Sequence, residues 1–397
     1  MPPWSLTRRA FLCFGSLPVF APLAVGPLAA IASRPAAAPA RASDALDAAL
    51  RLFQARAPES GSPGGRLSNH GPMVAEALET IGRPEAIEPF AARYLAGQEA
   101  APAAAAPFAA SEWREGLGRD ADFSRWLALF RREIDRSGWR EATRLWAGRL
   151  APGLAGQATH GILRAGHAAR ALSRQETPAR RDELAHGLAY WAASYREVLP
   201  GRPPVAGTLL PSQALARTPL LPAERRITRG LTVGRLAPLL DFPPFLQAAD
   251  LVDWRGDASV YLNDLCRAFA GVYLANTDTS PIILLHAVTG PSAARLLLPY
   301  ADAAGRQALL AHAWRASAGF YAVTALRLPA ASAGAAAEAP AAADAPAPMP
   351  REVIDGAVEN GAVHAIKFAE ACVREWNVAA DPVLLRAAAD GVRRLNA

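Results

Sequence analysis

Lysine is almost absent from this chain: of its 42 basic residues only Lys367 is not an arginine. Cysteine and methionine occur three times each, and histidine seven times in 397 residues. The sequence has no paired C-x-x-C and no H-E-x-x-H, which removes the common zinc-ribbon and zinc-protease frameworks. It has no C-x-x-C-H for covalent haem. It has no G-x-G-x-x-G opening a helix after a strand, no Walker loop and no G-x-S-x-G elbow, so nucleotide-fold and serine-hydrolase chemistry have no visible seat. Runs of alternating β-branched residues are missing as well, which argues against a β architecture.

What is there is helical. Hydrophobic residues make up 51% of the chain and charged ones 20%, enough for a sizeable core. Alanine, leucine, arginine and glutamate, all strong helix formers, dominate. Asp122–Asp135 places Phe123, Trp126, Leu127 and Phe130 on one stripe. Thr177-Pro178, Ser280-Pro281 and Asp381-Pro382 read as helix starts, a cap followed by proline in the first turn. These features predict an all-α fold: one large, bundle-like multi-helix domain over residues 43–397 with long irregular loops. Ala100–Pro107 reads as a short linker, Leu199–Pro211 as an irregular loop, and 329–350 as an Ala/Pro-rich disordered loop.

Residues 1–42 read as a twin-arginine signal peptide. Thr7-Arg8-Arg9-Ala10-Phe11-Leu12 precedes an apolar run interrupted by Pro18, Pro22 and Pro27, and Ala40-Arg41-Ala42 offers a small-x-small cleavage site. The prolines disfavour a spanning helix, so stable membrane insertion after cleavage is not expected. The expectation is export through the Tat translocase to the periplasm or beyond. This segment also explains most of the formal charge of +6, because Arg8, Arg9, Arg34 and Arg41 lie in it with no acid. The remaining arginines are interleaved with acids, so no nucleic-acid footprint remains. Cys266 and Cys372 follow this segment and read as a disulfide or as two buried thiols.

The scarcity of lysine gives Lys367 weight. A guanidinium keeps its proton at every working pH. A buried amine can lose it and act as a base, a nucleophile or, once carboxylated, an anionic ligand. The plain alternative is a surface amine paired with Glu370. His364 stands three residues before Lys367, on the same helical face. Four further histidines, His70, His160, His167 and His286, sit beside glycine or alanine, which lets helices approach closely and leaves room for a centre between them. His186 and His312 read as core residues. Inward histidines from several helices are a common way to hold a transition metal, and imidazole suits zinc, copper, iron and nickel. Arg164 shares the face of His160 and His167, and Tyr190, Trp191 and Tyr195 are aromatic candidates for a pocket or for ordinary core.

Four segments together resemble the questin oxidase-like family: Asn69–Leu78, Ala158–Arg164 continuing through His167–Arg170, Leu285–Thr289, and His364–Phe368. Glu183–Ala193 also fits, and the resemblance runs from about Asn69 to Asn377. It implies an oxidoreductase that opens quinone rings of aromatic polyketides with O2. Some members depend on NADPH, which would serve here as an external reductant. Fungal members carry a second histidine where this chain has Arg164, and they lack a match to His167. The combined reading is a mononuclear non-haem iron oxygenase. The metal ligands are His70, His160, His286, His364 and a carboxylated Lys367. His167 serves as a further ligand or base, and Arg164 holds an anionic phenolate or peroxide. A zinc-type hydrolase on the same histidines, or a non-enzymatic exported binding protein, are the alternatives.

Overall fold

The structure is a computed structural model and describes residues 42–62, 65–109, 111–328 and 347–395. The twin-arginine segment, apart from Ala42, and most of the Ala/Pro-rich stretch lie outside the described residues. That stretch ends sooner than its composition suggests, because Pro350 already opens a helix. Proline lacks an amide hydrogen, and the first helical position needs none.

The described chain is helical, as expected. Its helices run α1 (Ala42–Gln54), α2 (Gly71–Thr80), α3 (Ile87–Leu95), α4 (Phe123–Ser137), α5 (Trp139–Leu150), α6 (His160–Arg174) and α7 (Pro178–Ala193). Three short helices follow, α8 (Pro211–Leu215), α9 (Thr232–Arg235) and α10 (Pro243–Ala248). The second half comprises α11 (Ala258–Ala275), α12 (Pro281–Leu297), α13 (Ala303–Thr324), α14 (Pro350–Asn360), α15 (Val363–Ala379) and α16 (Pro382–Arg394). One small hairpin interrupts the pattern: β1 (Glu59–Ser62) pairs antiparallel with β2 (Gly65–Ser68), Glu59 opposite Ser68. At four residues per strand it gives no alternation long enough to read in the sequence. No described helix is long and apolar enough to cross a membrane.

Local chemistry explains the helix ends. Thr177 accepts a hydrogen bond from the Arg180 amide and Asp381 from that of Val383, so both caps form. Ser280 starts α12 without a side-chain cap. The α4 stripe buries Phe123, Trp126 and Phe130 together with Leu129 and Ile134, while Leu127 stays half-buried. Pro291 sits inside α12 and cannot donate to the carbonyl of Ala287. The Ser317 hydroxyl from α13 donates there instead, at 2.9 Å, so the helix continues past the proline.

Four helices form a closed ring of neighbours: α2 packs on α6 and α15, and α12 packs on the same two. Close approach is built in by glycine. A β-carbon on Gly187 of α7 would lie 2.8 Å from the backbone of Ala165 on α6. Cys266 and Cys372 are buried free thiols, not a disulfide.

Candidate metal centre

The ring gathers four helix N-termini at one place. His70 is the N-cap of α2, His160 the first residue of α6 and His364 the second of α15, while His286 lies one turn into α12. Their rings pack edge to face or tilted, with His160 4.7 Å from both His70 and His286 between centroids, and His364 4.8 Å from His70 and 5.4 Å from His286. The Nε2 atoms of His70 and His160 are 3.0 Å apart, and Lys367 Nζ lies 3.2 Å from His160 Nε2. Ligand atoms of His70, His160 and His364 all fall within 4.8 Å of one another.

Hydrogen bonds orient two of the rings. His160 Nδ1–H donates to the carbonyl of Gln157 at 2.6 Å, and His286 Nδ1–H to that of Ile282 at 2.5 Å. A proton on Nδ1 leaves a lone pair on Nε2, the arrangement of a metal-ligating histidine. His286 Nε2 is buried, with no hydrogen-bond partner among the described residues. An orphaned acceptor of this kind is costly unless a ligand meets it. Bonds of about 2.0–2.1 Å to histidine nitrogen place neighbouring donors roughly 2.9–3.4 Å apart, octahedral to tetrahedral. The His70–His160 and Lys367–His160 separations lie in that range, and with His364 the two histidines form a group that could hold a metal, a group that does not include His286. The group holds no carboxylate.

Electrostatics favour neutral donors. Burial first, then the nearby Lys367 charge, lowers His70, His160 and His364 well below the usual imidazole range. The same causes bring His286 down to about 3. Lys367 is 2% exposed, and burial pushes its amine down to about 7. The surface-amine alternative is therefore overturned. Glu370 does not pair with it either: its ion pairs are with Arg170 and Arg374, both at Oε1. Each helix N-terminus adds about half a positive charge. The site as a whole favours an anion once a metal is held.

The segment before His160 is strained. Gln157, Ala158 and Thr159 have φ of 42, 51 and 68°, three successive left-handed residues, none of them glycine. The left-handed conformation costs roughly 1–2 kcal/mol per such residue. The turn aims the Gln157 carbonyl back at His160 Nδ1. Across it, α12 comes close: a β-carbon on Gly290 would lie 2.8 Å from the Thr159 side chain.

His364 is partly exposed and borders a cleft of about 510 Å³. Phe90, Tyr94, Ile282, Val363 and Leu395 give it apolar walls, and Arg93 and Arg394 give it positive charge. Its described lining has no acid, and the α12 and α15 N-termini both reach it. Arg394 is paired with Asp390, whereas Arg93 has no ion pair among the described residues. The Tyr94 hydroxyl accepts from the His70 amide at 2.7 Å, joining the cleft wall to the cluster.

Two of the expected site residues stand elsewhere. Arg164 Nε and Nη2 donate to the Glu183 carboxylate at 2.6 and 3.0 Å. His167 Nδ1 meets Glu76 Oε2 at 2.6 Å. Both border a void of about 10 Å³, room for one water and not for a substrate. Neither lines the cleft beside His364. His167 is seven residues beyond His160, about 10 Å along the helix, so a shared face places it two turns deeper. His186 is a core residue, its Nδ1 2.9 Å from the carbonyl of Asp182. Trp191 is buried, and Tyr190 lines a separate cleft of about 460 Å³. Arg93, Tyr94 and Gln157 carry no motif and were not legible as site residues. No family model matches the chain, and no curated protein matches it significantly.

Proposed function

We propose that the protein is an exported oxidoreductase, a non-haem iron oxygenase that oxidises or cleaves a quinone-like aromatic ring with O2. One observation carries this reading. The four segments that resemble the questin oxidase-like family are far apart in sequence, and each delivers one histidine to a single cluster, buried except at His364, that opens onto a cleft. His70, His160, His286 and His364 would hold the metal, with the Lys367 amine or its carbamate as a further donor. Iron bound there would supply the one-electron chemistry that O2 requires. The apolar walls would orient a flat ring, and Arg93 with the two helix N-termini would hold its anionic group. In this reading Arg93 takes the anion-binding role that the sequence pointed to in Arg164, whose guanidinium is committed to Glu183. The low imidazole pKa values keep the rings uncharged at neutral pH, with the Nδ1–H of His160 and of His286 directed at a carbonyl and Nε2 left as the donor atom. Export by the twin-arginine route fits, because that route carries folded proteins whose metal is already loaded.

The test is metal analysis of protein purified without added metal, followed by O2 consumption with a dihydroxyanthraquinone, with and without NADPH. Iron together with O2 uptake supports the oxygenase. Zinc without O2 uptake replaces it with a hydrolase on the same ligands. Unchanged metal content in both His160→Ala and His364→Ala removes the centre and leaves a binding protein. Lys367→Arg is expected to abolish metal-dependent activity while the helical fold survives.

A further inference from the structure

We infer that Gln157 and Glu59 are positioning residues that hold the His70 and His160 rings at ligand spacing. The inference rests on the metal-centre reading, but it concerns residues outside the donor set. Gln157 acts through both of its ends. Its carbonyl accepts from His160 Nδ1 at 2.6 Å, and its side-chain Nε2 donates to Glu59 Oε1 at 2.9 Å. Glu59 opens β1 and stands opposite Ser68, the last residue of β2 and two residues before His70. The Tyr190 hydroxyl ties the two strands together, donating to Glu59 Oε1 at 2.8 Å and lying 2.6 Å from Ser68 Oγ.

One hydrogen-bonded path therefore runs from the base of His70 to the base of His160, through a hairpin and a loop that are 98 residues apart at Glu59 and Gln157. The left-handed turn at Gln157–Thr159 would relax if nothing held it. The Glu59 carboxylate anchors the side chain at its start. Release of that anchor lets the carbonyl turn away from Nδ1, and His160 loses both its tautomer and its aim. Partners of this kind behind a ligating histidine typically change metal affinity by about 10–100-fold.

The experiment measures cobalt(II) affinity and the visible spectrum of the cobalt-loaded full chain. Gln157→Glu sets two carboxylates against each other and is expected to lower affinity about 10–100-fold and to alter the spectrum. The exchange Glu59→Gln with Gln157→Glu restores a donor–acceptor pair and is expected to return affinity to within about threefold of the wild type. If Gln157→Glu does not fold, Gln157→Ala carries the comparison, with a loss of about tenfold expected. Wild-type affinity and spectrum in the single variants overturn the positioning role alone. A double variant as weak as Gln157→Glu also overturns it, because the effect is then a general loss of structure. A wild-type chain that binds no cobalt overturns the metal centre itself, and the positioning role with it.

Discussion

Two layers of one helix ring differ in how they use burial. The upper layer, at the N-termini of α2, α6, α12 and α15, holds four histidines and Lys367. These are bases that burial drives toward their neutral forms. The lower layer, further along α2, α6 and α15, holds Glu76, His167, Arg170, Glu370 and Arg374. There the carboxylates and guanidiniums keep their charge, whereas burial lowers His167 below the usual imidazole range in spite of its Glu76 partner. Burial pushes the Glu76 carboxyl up, but Arg170 and the His167 bond together outweigh it and hold the group well below its usual range. The same balance, with Arg170 and Arg374, lowers Glu370. Still deeper, Glu375 accepts from Ser292 at 2.6 Å and from Arg295, fastening α15 to α12. Equal burial thus has opposite results. Paired ions keep their charge and join helices, whereas unpaired bases give up protons and present lone pairs. The lower layer builds the frame, and the upper layer is left free to take a ligand.

Substitutions that cut each layer separately should break this contrast most clearly. Arg170→Ala leaves Glu76 and Glu370 short of a buried counter-charge, and a loss of about 3–5 kcal/mol is expected in urea unfolding. His160→Ala should cost the metal-free chain far less, while abolishing cobalt or iron binding in dialysis. If Arg170→Ala is benign and His160→Ala unfolds the chain, the assignment of frame and site is reversed.

Lys367 provides the next test. Its amine titrates near 7 in the folded chain and near 10.5 when unfolded. Between those values the unfolded chain holds the extra proton, so stability falls as pH drops from 10.5 to 7 and levels off below. Lys367→Met should therefore stabilise the metal-free protein, by as much as about 5 kcal/mol at pH 6, with the gain shrinking toward pH 10. Thermal unfolding across that range measures it, and a pH-independent difference would contradict a buried, titrating amine. In the wild type the same proton competes with a metal. Affinity should fall about tenfold per unit below pH 7 if the amine is a ligand, and Lys367→Met should flatten that slope. The smallest effect belongs to the cleft. Arg93→Ala should weaken binding of 2-naphthoate about tenfold and of neutral 2-naphthamide hardly at all, as titrated by calorimetry, with metal content unchanged.

Much of this was legible, for identifiable reasons. Helix formers, the α4 stripe and the caps at Thr177 and Asp381 act within a few residues, so the sequence displays them directly. The histidines of the cluster stood out through small neighbours and through rarity, as did Lys367. Arg164 and His167 share helical periodicity with His160, but periodicity reports a face and not a depth. Their partners Glu183 and Glu76 come from other helices. Gln157 is an unremarkable residue in sequence, and only its left-handed backbone and its two bonds single it out. The hairpin was missed because four-residue strands leave no pattern.

By itself the sequence determined an all-helical chain, the starts of several helices and the supply of rare basic donors, because propensity, capping and composition are local properties. The tertiary structure decided which donors meet. Residues 70, 160, 286 and 364 become neighbours only when four helix N-termini converge, and Lys367 becomes a neutral candidate only when packing removes its water. Contacts across hundreds of residues, and the desolvation that comes with them, depend on how helices pack, and no window of sequence contains that information.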